Sequence, residues 1–363
     1  MATIYDVAKH AKVSPKTVSR VLNGEGPVKQ STRDAVMKAM EEIRYVPSLA
    51  ARSIKSQKSG LLGLITGAIS TGVDSQDNTG LPDLLIVQGI QHIVERSGKT
   101  LLISDTGGRP DSARALIRTF REHRVEGLIY VADFHKQLEE ALPVGDIPTV
   151  LVNCYDDHDT PSVLPDDEQG QYLLTSKVVE AGHSRIAYLS LGASFDATRL
   201  RLKGFKRALT AAGVTFDPAL SVPVDMFTPS SAQQLIWDAI DRFLKLPEPP
   251  TAICCGNDRL AMVVYGILRE RGLSVPEQMS VIGYDDHKLI SEALYPSLTT
   301  AELPYSAMGA RAAQLMLDMI GDPTFVAPND PLLVSGQVRK RNSLTGVRNE
   351  MGTLINLSGR KQK

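Results

Sequence analysis

The sequence predicts an α/β protein in which a small N-terminal helix-turn-helix unit precedes two doubly wound parallel-sheet subdomains. Residues 1–46 show three short amphipathic patterns with helix-capping residues and no strand-like run. From residue 60 onward, unbroken apolar runs of strand length alternate with amphipathic helices, and this alternation runs through the chain twice. The 363 residues are enough for two or three domains with a large buried core.

The N-terminal unit is predicted from its helix start and stop signals. A hydroxyl residue followed three positions later by an acid, or directly by proline, marks a helix start. Such starts occur at Thr3 with Asp6, at Ser14 with Pro15, and at Ser31 with Asp34. Gly24 and Pro47 are expected to end the second and third helices. Small residues at Ala8 and Ala11 allow the first two helices to cross closely.

Charge is unevenly distributed along the chain. Residues 1–58 hold eleven Lys/Arg and five Asp/Glu, whereas the remainder holds 29 and 36. The predicted second helix also exposes hydroxyls and long cations, which suit phosphates and base edges. A basic segment on an acidic body indicates contact with a polyanion. An ordinary solvated surface is the alternative interpretation of the charge alone.

The larger region is predicted strand by strand and helix by helix. Strands are expected at Leu61–Ile65, Thr100–Ser104, Gly127–Val131, Thr149–Val152, Arg185–Leu191, Thr251–Cys255 and Ser280–Tyr284. Helices are expected at Leu84–Arg96, Ala113–His123, Gln169–Ala181, Leu202–Ala212, Ala232–Lys245 and Arg259–Arg271. Ligands bind beyond the carboxyl ends of strands in such sheets. A cleft between two subdomains is therefore the expected binding site.

Several function classes find no support in the sequence. No apolar run reaches the roughly 20 residues of a membrane helix, and the N-terminus has no secretory pattern, so we expect a cytoplasmic protein. Cys154, Cys254 and Cys255 lie in apolar runs and are predicted to be buried thiols. The acidic run at 156–159 is predicted to be a solvated loop, and no metal or cofactor is expected. The chain contains no G-x-S-x-G, Walker A or G-x-G-x-x-G motif, so no enzyme is predicted.

Three N-terminal segments resemble the LacI/GalR family of repressors. The matching runs are Thr3–Ala8 and Val13–Asn23 for the DNA-binding motif, and Arg44–Ile54 for the hinge. The resemblance implies that Pro15, Lys16 and Arg20 read bases in the major groove. It also implies that the following residues contribute to DNA binding: Thr3, Tyr5, Ser14, Thr17, Ser19 and Asn23.

The family's hinge forms a short helix on operator DNA, and two hinge helices from a dimer enter the minor groove. Ala50 would let these paired helices approach closely. Ile54 stands where the family has an intercalating leucine, a wedge that kinks DNA. Isoleucine branches nearer the backbone, so the depth of insertion is open, and a buried linker residue is the alternative.

The larger region resembles the periplasmic-binding-protein-like sensor core of the same family up to about residue 343. The matching segments are Glu180–Ala187, Arg199–Phe205, Gly256–Asp258, Ser280–Asp286 and Pro296–Thr300. By this resemblance Arg201, Asn257 and Asp285 are the recurring ligand contacts. Phe227 matches an aromatic that stacks on a sugar ring, Asn153 a polar contact, and Asp83 a position that is often aromatic.

Most of these ligand contacts could also have a purely structural role. Arg201 suits vicinal hydroxyls or a carboxylate, but it could instead pair with an acid such as Asp196. Asn257 or Asp258 could cap a helix, and Asp285 could lie at the surface. Phe227 could belong to the core, and Asp83 could be a solvated charge. Leu303 replaces a glutamine that often contacts ligand in the family, which makes the predicted pocket wall more apolar.

Together these observations predict a homodimeric regulator, most simply a repressor, that binds a pseudo-palindromic operator and a sugar-like metabolite. The predicted segments are a DNA-binding domain at 1–46, a hinge at 47–59, a sensor core at 60–345 and a flexible tail at 346–363. The tail has no leucine heptad, which favours a dimer over a tetramer. A solute-binding protein and a regulator controlled by a partner protein remain as alternatives.

Overall fold

The computed structural model of the chain describes residues 2–46, 58–67, 82–107, 109, 112–225 and 229–347. Of residues 82, 83 and 229–231 it describes only the helical backbone. The chain divides into two compact units, Met1–Gly60 and Leu61–Lys363. Residues 47–57 of the predicted hinge, Ala50 and Ile54 included, and the predicted tail beyond residue 347 lie outside the described residues.

The first unit contains three helices around one small apolar core. They are α1 (Ile4–His10), α2 (Pro15–Asn23) and α3 (Gln30–Glu42). Val7, Val18 and Val36, one from each helix, are fully buried at its centre. Lys12 takes a left-handed conformation (φ 54°) in the tight turn between α1 and α2, and Gly24 does the same (φ 67°) where α2 ends.

The second unit contains two parallel sheets, each covered by helices. The first half has β1 (Leu61–Thr66), α4 (Pro82–Arg96), β2 (Thr100–Asp105), α5 (Ser112–Glu122), β3 (Gly127–Gln137), β4 (Thr149–Tyr155) and β5 (Ser162–Pro165). The second half begins with α6 (Asp167–Glu180), β6 (Ile186–Leu191), α7 (Asp196–Ala211), β7 (Ser221–Val224), α8 (Pro229–Leu244), β8 (Ala252–Cys255) and α9 (Asp258–Glu270). It continues with β9 (Ser280–Asp285), α10 (Lys288–Ser291) and β10 (Thr299–Glu302), after which come α11 (Tyr305–Gly321), β11 (Leu332–Val334) and β12 (Val338–Arg339).

The strand order of both sheets is doubly wound. The first sheet runs β11-β5-β4-β3-β1-β2 and the second β12-β10-β9-β8-β6-β7. All pairs are parallel except β10 with β12. The apolar clusters lie on both faces of each sheet, which explains why the central strands are apolar at successive positions. The predicted α/β class with two doubly wound parallel sheets is confirmed.

The chain passes between the two halves three times, next to β5, β10 and β11. β11 returns to the first sheet beside β5 before β12 closes the second sheet beside β10. The crossing segments are bonded to one another: Asp166 N donates to Val334 O at 3.0 Å, and Ser335 Oγ donates to the Asp166 carboxylate at 3.1 Å. Glu302 N likewise donates to Gln337 O at 2.8 Å.

Two helix pairs pack at very short range through glycine. A Cβ on Gly309 of α11 would lie 2.0 Å from Ile86 O of α4, and one on Gly204 of α7 would lie 2.1 Å from Glu168 O of α6. Because no side chain fits at that separation, glycine is what lets these backbones touch. Each pair covers one face of its sheet and so fixes the shape of that half.

The structure corrects some local predictions. β5, β7, β10, β11, β12, α10 and α11 were not predicted. α7 begins at Asp196 rather than at Leu202, because an acid in the first turn suits the helix dipole and Ala197 and Thr198 are buried. The predicted cap at Ser31 is wrong: the N-cap is Lys29, two residues earlier, and it makes no side-chain cap bond. The prediction of buried cysteines is confirmed for all three.

Candidate DNA-binding surface and effector crevice

The candidate DNA-binding surface is one face of α2. Ser14 caps the helix, since its Oγ accepts the Thr17 backbone N–H at 3.1 Å and lies 2.9 Å from the Thr17 hydroxyl. Lys16 and Arg20 are exposed on this face, one turn apart, while Val18 and Val21 are buried on the other. The first turn of α2 contains no acid. The exposed face therefore offers cations to a polyanion.

The flanking residues that were predicted for DNA binding are also described. Thr3 forms a complete capping box with Asp6, whose carboxylate accepts the Thr3 backbone N–H at 2.8 Å and the Thr3 hydroxyl at 2.7 Å. Tyr5 is 70% exposed on α1. Asn23 donates weakly to Ser19 Oγ at 3.4 Å. The hydroxyl of Thr3 is thus occupied by its cap, whereas the Tyr5 side chain is open to a ligand.

The second candidate site lies where the two halves of the sensor unit meet. Arg201 of α7 is 4% exposed, and its Nε donates to Asp167 Oδ1 at 2.7 Å. Its Nη1 donates to Gly256 O at 2.6 Å and lies 3.6 Å from Asp285 Oδ1. The guanidinium stacks over the Tyr284 ring at 3.8 Å. Arg201 therefore pairs with Asp167, whereas Asp196, the suggested structural partner, contacts Tyr155 and Arg199.

Asp167 and His135 are the residues that sequence reasoning missed. Asp167 begins α6, and both of its carboxylate oxygens are occupied. Oδ1 accepts from Arg201, and Oδ2 accepts from His135 Nδ1 of β3 at 2.8 Å. Phe134 also meets Phe195 edge-on at 5.1 Å between ring centroids. The end of β3 thus contacts α6 and α7, which cover the second sheet.

Three of the remaining predicted ligand residues lie in or just after a strand. Asn257 follows β8 and caps α9, since its Oδ1 accepts the Leu260 N–H at 2.8 Å. Its amide NH2 is the group it can offer a ligand. Asn153 in β4 is 2% exposed and donates to Ala132 O at 3.2 Å. Asp285 ends β9, and its side chain is 27% exposed. Phe227 and the side chain of Asp83 lie outside the described residues.

Backbone strain is concentrated at two of these strand ends. Asn153 (φ 60°) and Asp285 (φ 114°) both have left-handed conformations that glycine would adopt more easily. Strain of this kind is tolerated where the surrounding structure fixes it, and it gathers at ligand sites. Asp285 is further held by its carbonyl, which accepts the Leu303 N–H at 3.1 Å.

We call the region around Arg201 the crevice. The pKa values of its carboxyl groups are shifted in opposite directions. Burial alone would raise the pKa of Asp167, but Arg201 and His135 together hold it below its usual value. Burial raises the pKa of Asp285, and Asp258 and Asp167 add to that effect against the opposing influence of Arg201. Burial raises the pKa of Asp258 to about 7, although the Thr300 hydroxyl and the His287 N–H donate to it. Asp167 is therefore the firmly ionised member.

Two further kinds of site are at issue in the described part of the chain, a metal cluster and a membrane span. There, no group of three or more His, Cys, Asp or Glu side chains is placed to hold a metal ion. None of the helices described is long and apolar enough to cross a membrane.

Comparison with protein families and curated sequences identifies the chain. Residues 3–48 match the model for bacterial regulatory proteins of the lacI family, and residues 175–344 match a periplasmic binding protein-like domain. The HTH-type transcriptional repressor PurR of Vibrio atlanticus (strain LGP32) is 34% identical over 325 residues, which is 89% of this chain and 93% of that protein. The chain belongs to the LacI family. This LacI-family chain is a DNA-binding transcriptional repressor, as the resemblance predicted.

Solved structures agree with this membership. The lac repressor dimer bound to operator and the anti-inducer ONPF is 26% identical to this LacI-family chain, with a TM-score of 0.76, over 95% of this chain and 99% of that one. The complex of the transcriptional regulator CelR with cellobiose is 26% identical, with a TM-score of 0.63, over 94% and 100%. Both matches span the N-terminal three-helix unit (the headpiece) and the sensor core together.

Proposed function

We propose that this repressor binds a pseudo-palindromic operator as a homodimer and that an uncleaved small metabolite, a sugar or sugar derivative, changes its operator affinity. The observation that carries this proposal is the position of Arg201, whose Nη1 donates to Gly256 O, next to Asn257, and lies 3.6 Å from Asp285 Oδ1. A guanidinium, an amide and a carboxylate together satisfy vicinal hydroxyls. The protein would act in the cytoplasm, where its DNA is.

The relatives support each part of the proposal. One solved relative is a dimer on operator DNA, and another holds cellobiose. On this basis Lys16 and Arg20 of each protomer would read one half-site, because dimer symmetry imposes symmetry on the DNA. Ser14, Thr17, Ser19 and Asn23 would hold the backbone, with Pro15, Thr3 and Tyr5 beside them. Ala50 and Ile54 would serve in the hinge.

Coupling between the two sites follows from how the halves are joined. Three adjacent crossing segments connect the halves, and His135 of one half meets Asp167 of the other. A ligand that binds between the halves would favour one arrangement of them. Since coupling is reciprocal, operator would change ligand affinity by the same factor that ligand changes operator affinity.

Operator selection followed by a metabolite screen tests the proposal. Full-length protein would select duplexes from a random pool, and sedimentation would give the mass of the complex. Fluorescence anisotropy would then measure operator affinity with sugars and sugar derivatives. We expect an inverted-repeat operator, two protomers per site, and a sugar that changes affinity without being turned over. Operator binding that no small molecule alters would contradict the effector part and favour control by a partner protein.

A further inference from the structure

The positive charge of the crevice is already neutralised inside the protein. Arg201 is its buried cation, and two of its N–H groups donate to Asp167 and to Gly256 O. Its flat face is covered by Tyr284 at 3.8 Å. A third acceptor, Asp285 Oδ1, lies 3.6 Å from Nη1. An incoming anion would therefore compete with acceptors that Arg201 already has.

Asp167 is difficult to displace from this pair. Its side chain is fully buried, and its two oxygens accept from Arg201 at 2.7 Å and from His135 at 2.8 Å. A ligand carboxylate that took over Arg201 would leave the Asp167 charge buried without its main partner. Breaking a buried ion pair in this way is strongly unfavourable.

The group that faces outward is an acid. The Asp285 side chain is 27% exposed, against 4% for that of Arg201, so a ligand arriving in the crevice meets this carboxyl group first. Around Arg201 the described residues place two carboxyl groups, Asp167 and Asp285, next to one guanidinium. The Asp285 carboxyl group, whose pKa is raised by burial, can exchange hydrogen bonds with hydroxyls, and the ionised Asp167 behind it repels phosphate or carboxylate.

We propose that the crevice selects an uncharged, hydroxyl-rich effector and rejects its carboxylate or phosphate counterpart, with Asp167 as the residue that sets this charge preference. The proposal rests on the proposed effector site and decides between the two ligand classes that Arg201 alone leaves open. Asp167 acts by neutralising Arg201, and His135 holds it in place from the facing half. Asp285 supplies the acceptor that a hydroxyl uses.

Calorimetric titration with anions tests this preference without knowledge of the natural effector. Full-length wild type, Asp167→Asn and Glu168→Gln would each be titrated with inorganic phosphate and with D-gluconate at fixed ionic strength. Glu168→Gln is the matched control, because it removes one negative charge from the neighbouring residue, which pairs with Lys203 and Arg207. All three proteins keep the same headpiece, so any phosphate that α2 attracts contributes equally.

We expect Asp167→Asn to bind at least one of the anions at least about tenfold more tightly than wild type and Glu168→Gln do, because the like charge beside Arg201 is gone. Circular dichroism would establish that Asp167→Asn is folded. Asp285→Asn is the second variant, since it replaces the outer acid but leaves the Arg201–Asp167 pair intact. It should shift affinity in the same direction but by less, because burial already raises the pKa of Asp285.

Two results would overturn the charge preference. One is saturable anion binding by wild type that Arg201→Gln abolishes. The other is a folded Asp167→Asn and a folded Asp285→Asn that both bind anions no better than Glu168→Gln. Measurements of operator anisotropy distinguish a failure of the charge preference from a failure of the proposed function. An anion that binds the wild-type crevice and changes operator affinity would contradict the charge preference but not the proposed control by a small molecule.

Discussion

His135 Nδ1 and Asp167 Oδ2 lie 2.8 Å apart, and this hydrogen bond joins β3 of the first sheet to the first residue of α6, which covers the second. Both side chains are buried, so water does not compete for either atom. The same carboxylate holds Arg201. One buried acid therefore connects the facing half of the sensor to the centre of the candidate effector site.

Replacing His135 should weaken the sensor unit. His135→Ala removes a donor from a buried carboxylate, and we expect a loss of about 1–3 kcal/mol in the free energy of unfolding. Urea denaturation followed by circular dichroism measures it. His158→Ala is the control, because that side chain is exposed in the acidic loop. Equal stability of the two variants would contradict the structural role given to His135.

The headpiece offers a matched pair of serines. Ser14→Ala removes the cap of α2 and should cost about 1 kcal/mol of local stability. Ser31→Ala should cost much less, because Ser31 lies inside α3 and makes no cap bond. Hydrogen exchange of the backbone N–H groups of α2 and α3 reports each helix separately. Faster exchange at Thr17 in the first variant, without a matching change in α3 for the second, is the expected result.

Arg20 is expected to discriminate between DNA sequences. Arg20→Ala should cost about 1–3 kcal/mol on the selected operator if the side chain makes a bidentate contact with guanine. Lys38→Ala is the control, since Lys38 is a 77% exposed cation on α3. Anisotropy on operator and on random duplex at one salt concentration compares them. Equal weakening on both duplexes would assign Arg20 to phosphate instead.

Two glycines should respond oppositely to alanine. Gly309→Ala places a methyl group 2.0 Å from Ile86 O, so α4 and α11 must separate and the sensor unit should lose at least about 1–3 kcal/mol. Gly266 of α9 has nothing within 4 Å of its Cβ position, and Gly266→Ala should gain about 0.5–1 kcal/mol through helix propensity. Thermal unfolding of the two variants gives both signs in one experiment.

Asp258 should give the sensor a pH-dependent stability. Its folded pKa of about 7 exceeds the ordinary aspartate value of 3.8, because it is buried near Asp286, and Arg341 only partly opposes this. The folded state thus holds a proton that the unfolded chain loses, so this contribution is present at acidic pH and is lost as pH rises towards 7.

Asp258→Asn should remove this dependence. Between about pH 4 and 7, the free energy of unfolding of wild type should fall relative to the variant by up to about 1.4 kcal/mol per pH unit. Asp238→Asn, an exposed replacement on α8, should leave the profile unchanged. Denaturant titrations across this range measure the slopes, and parallel profiles for wild type and Asp258→Asn would refute the assignment.

Local signals and distant contacts were not equally predictable. The caps at Thr3 and Ser14 depend on residues three positions apart, so the sequence contains the whole interaction. Ser31 shows the same pattern, but Asp34 accepts from Gln30 at 2.8 Å and α3 starts earlier. Arg201 and Asp285, both expected from the resemblance to contact ligand, lie 3.6 Å apart. The actual ion partner of Arg201, Asp167, lies 34 residues away and becomes visible only once α6 and α7 are packed.

The short strands were unpredictable for a different reason. β10 reads Thr299–Glu302 and has no apolar run, yet its first three residues are buried because β9 and β12 flank it. Neighbouring strands, rather than local composition, decide its conformation. β7 and β5 have four residues each and give too little periodicity for a prediction.

α11 and β11 come late in the chain but complete the early half of the sensor. A stop codon placed directly after β10 would therefore remove α11 and the edge strand β11 from the first half. Neither half corresponds to one continuous stretch of the gene. Truncations and two-piece expression of this sensor must follow the three-dimensional halves, so a fragment of the first half becomes complete only when residues from beyond position 304 are supplied with it.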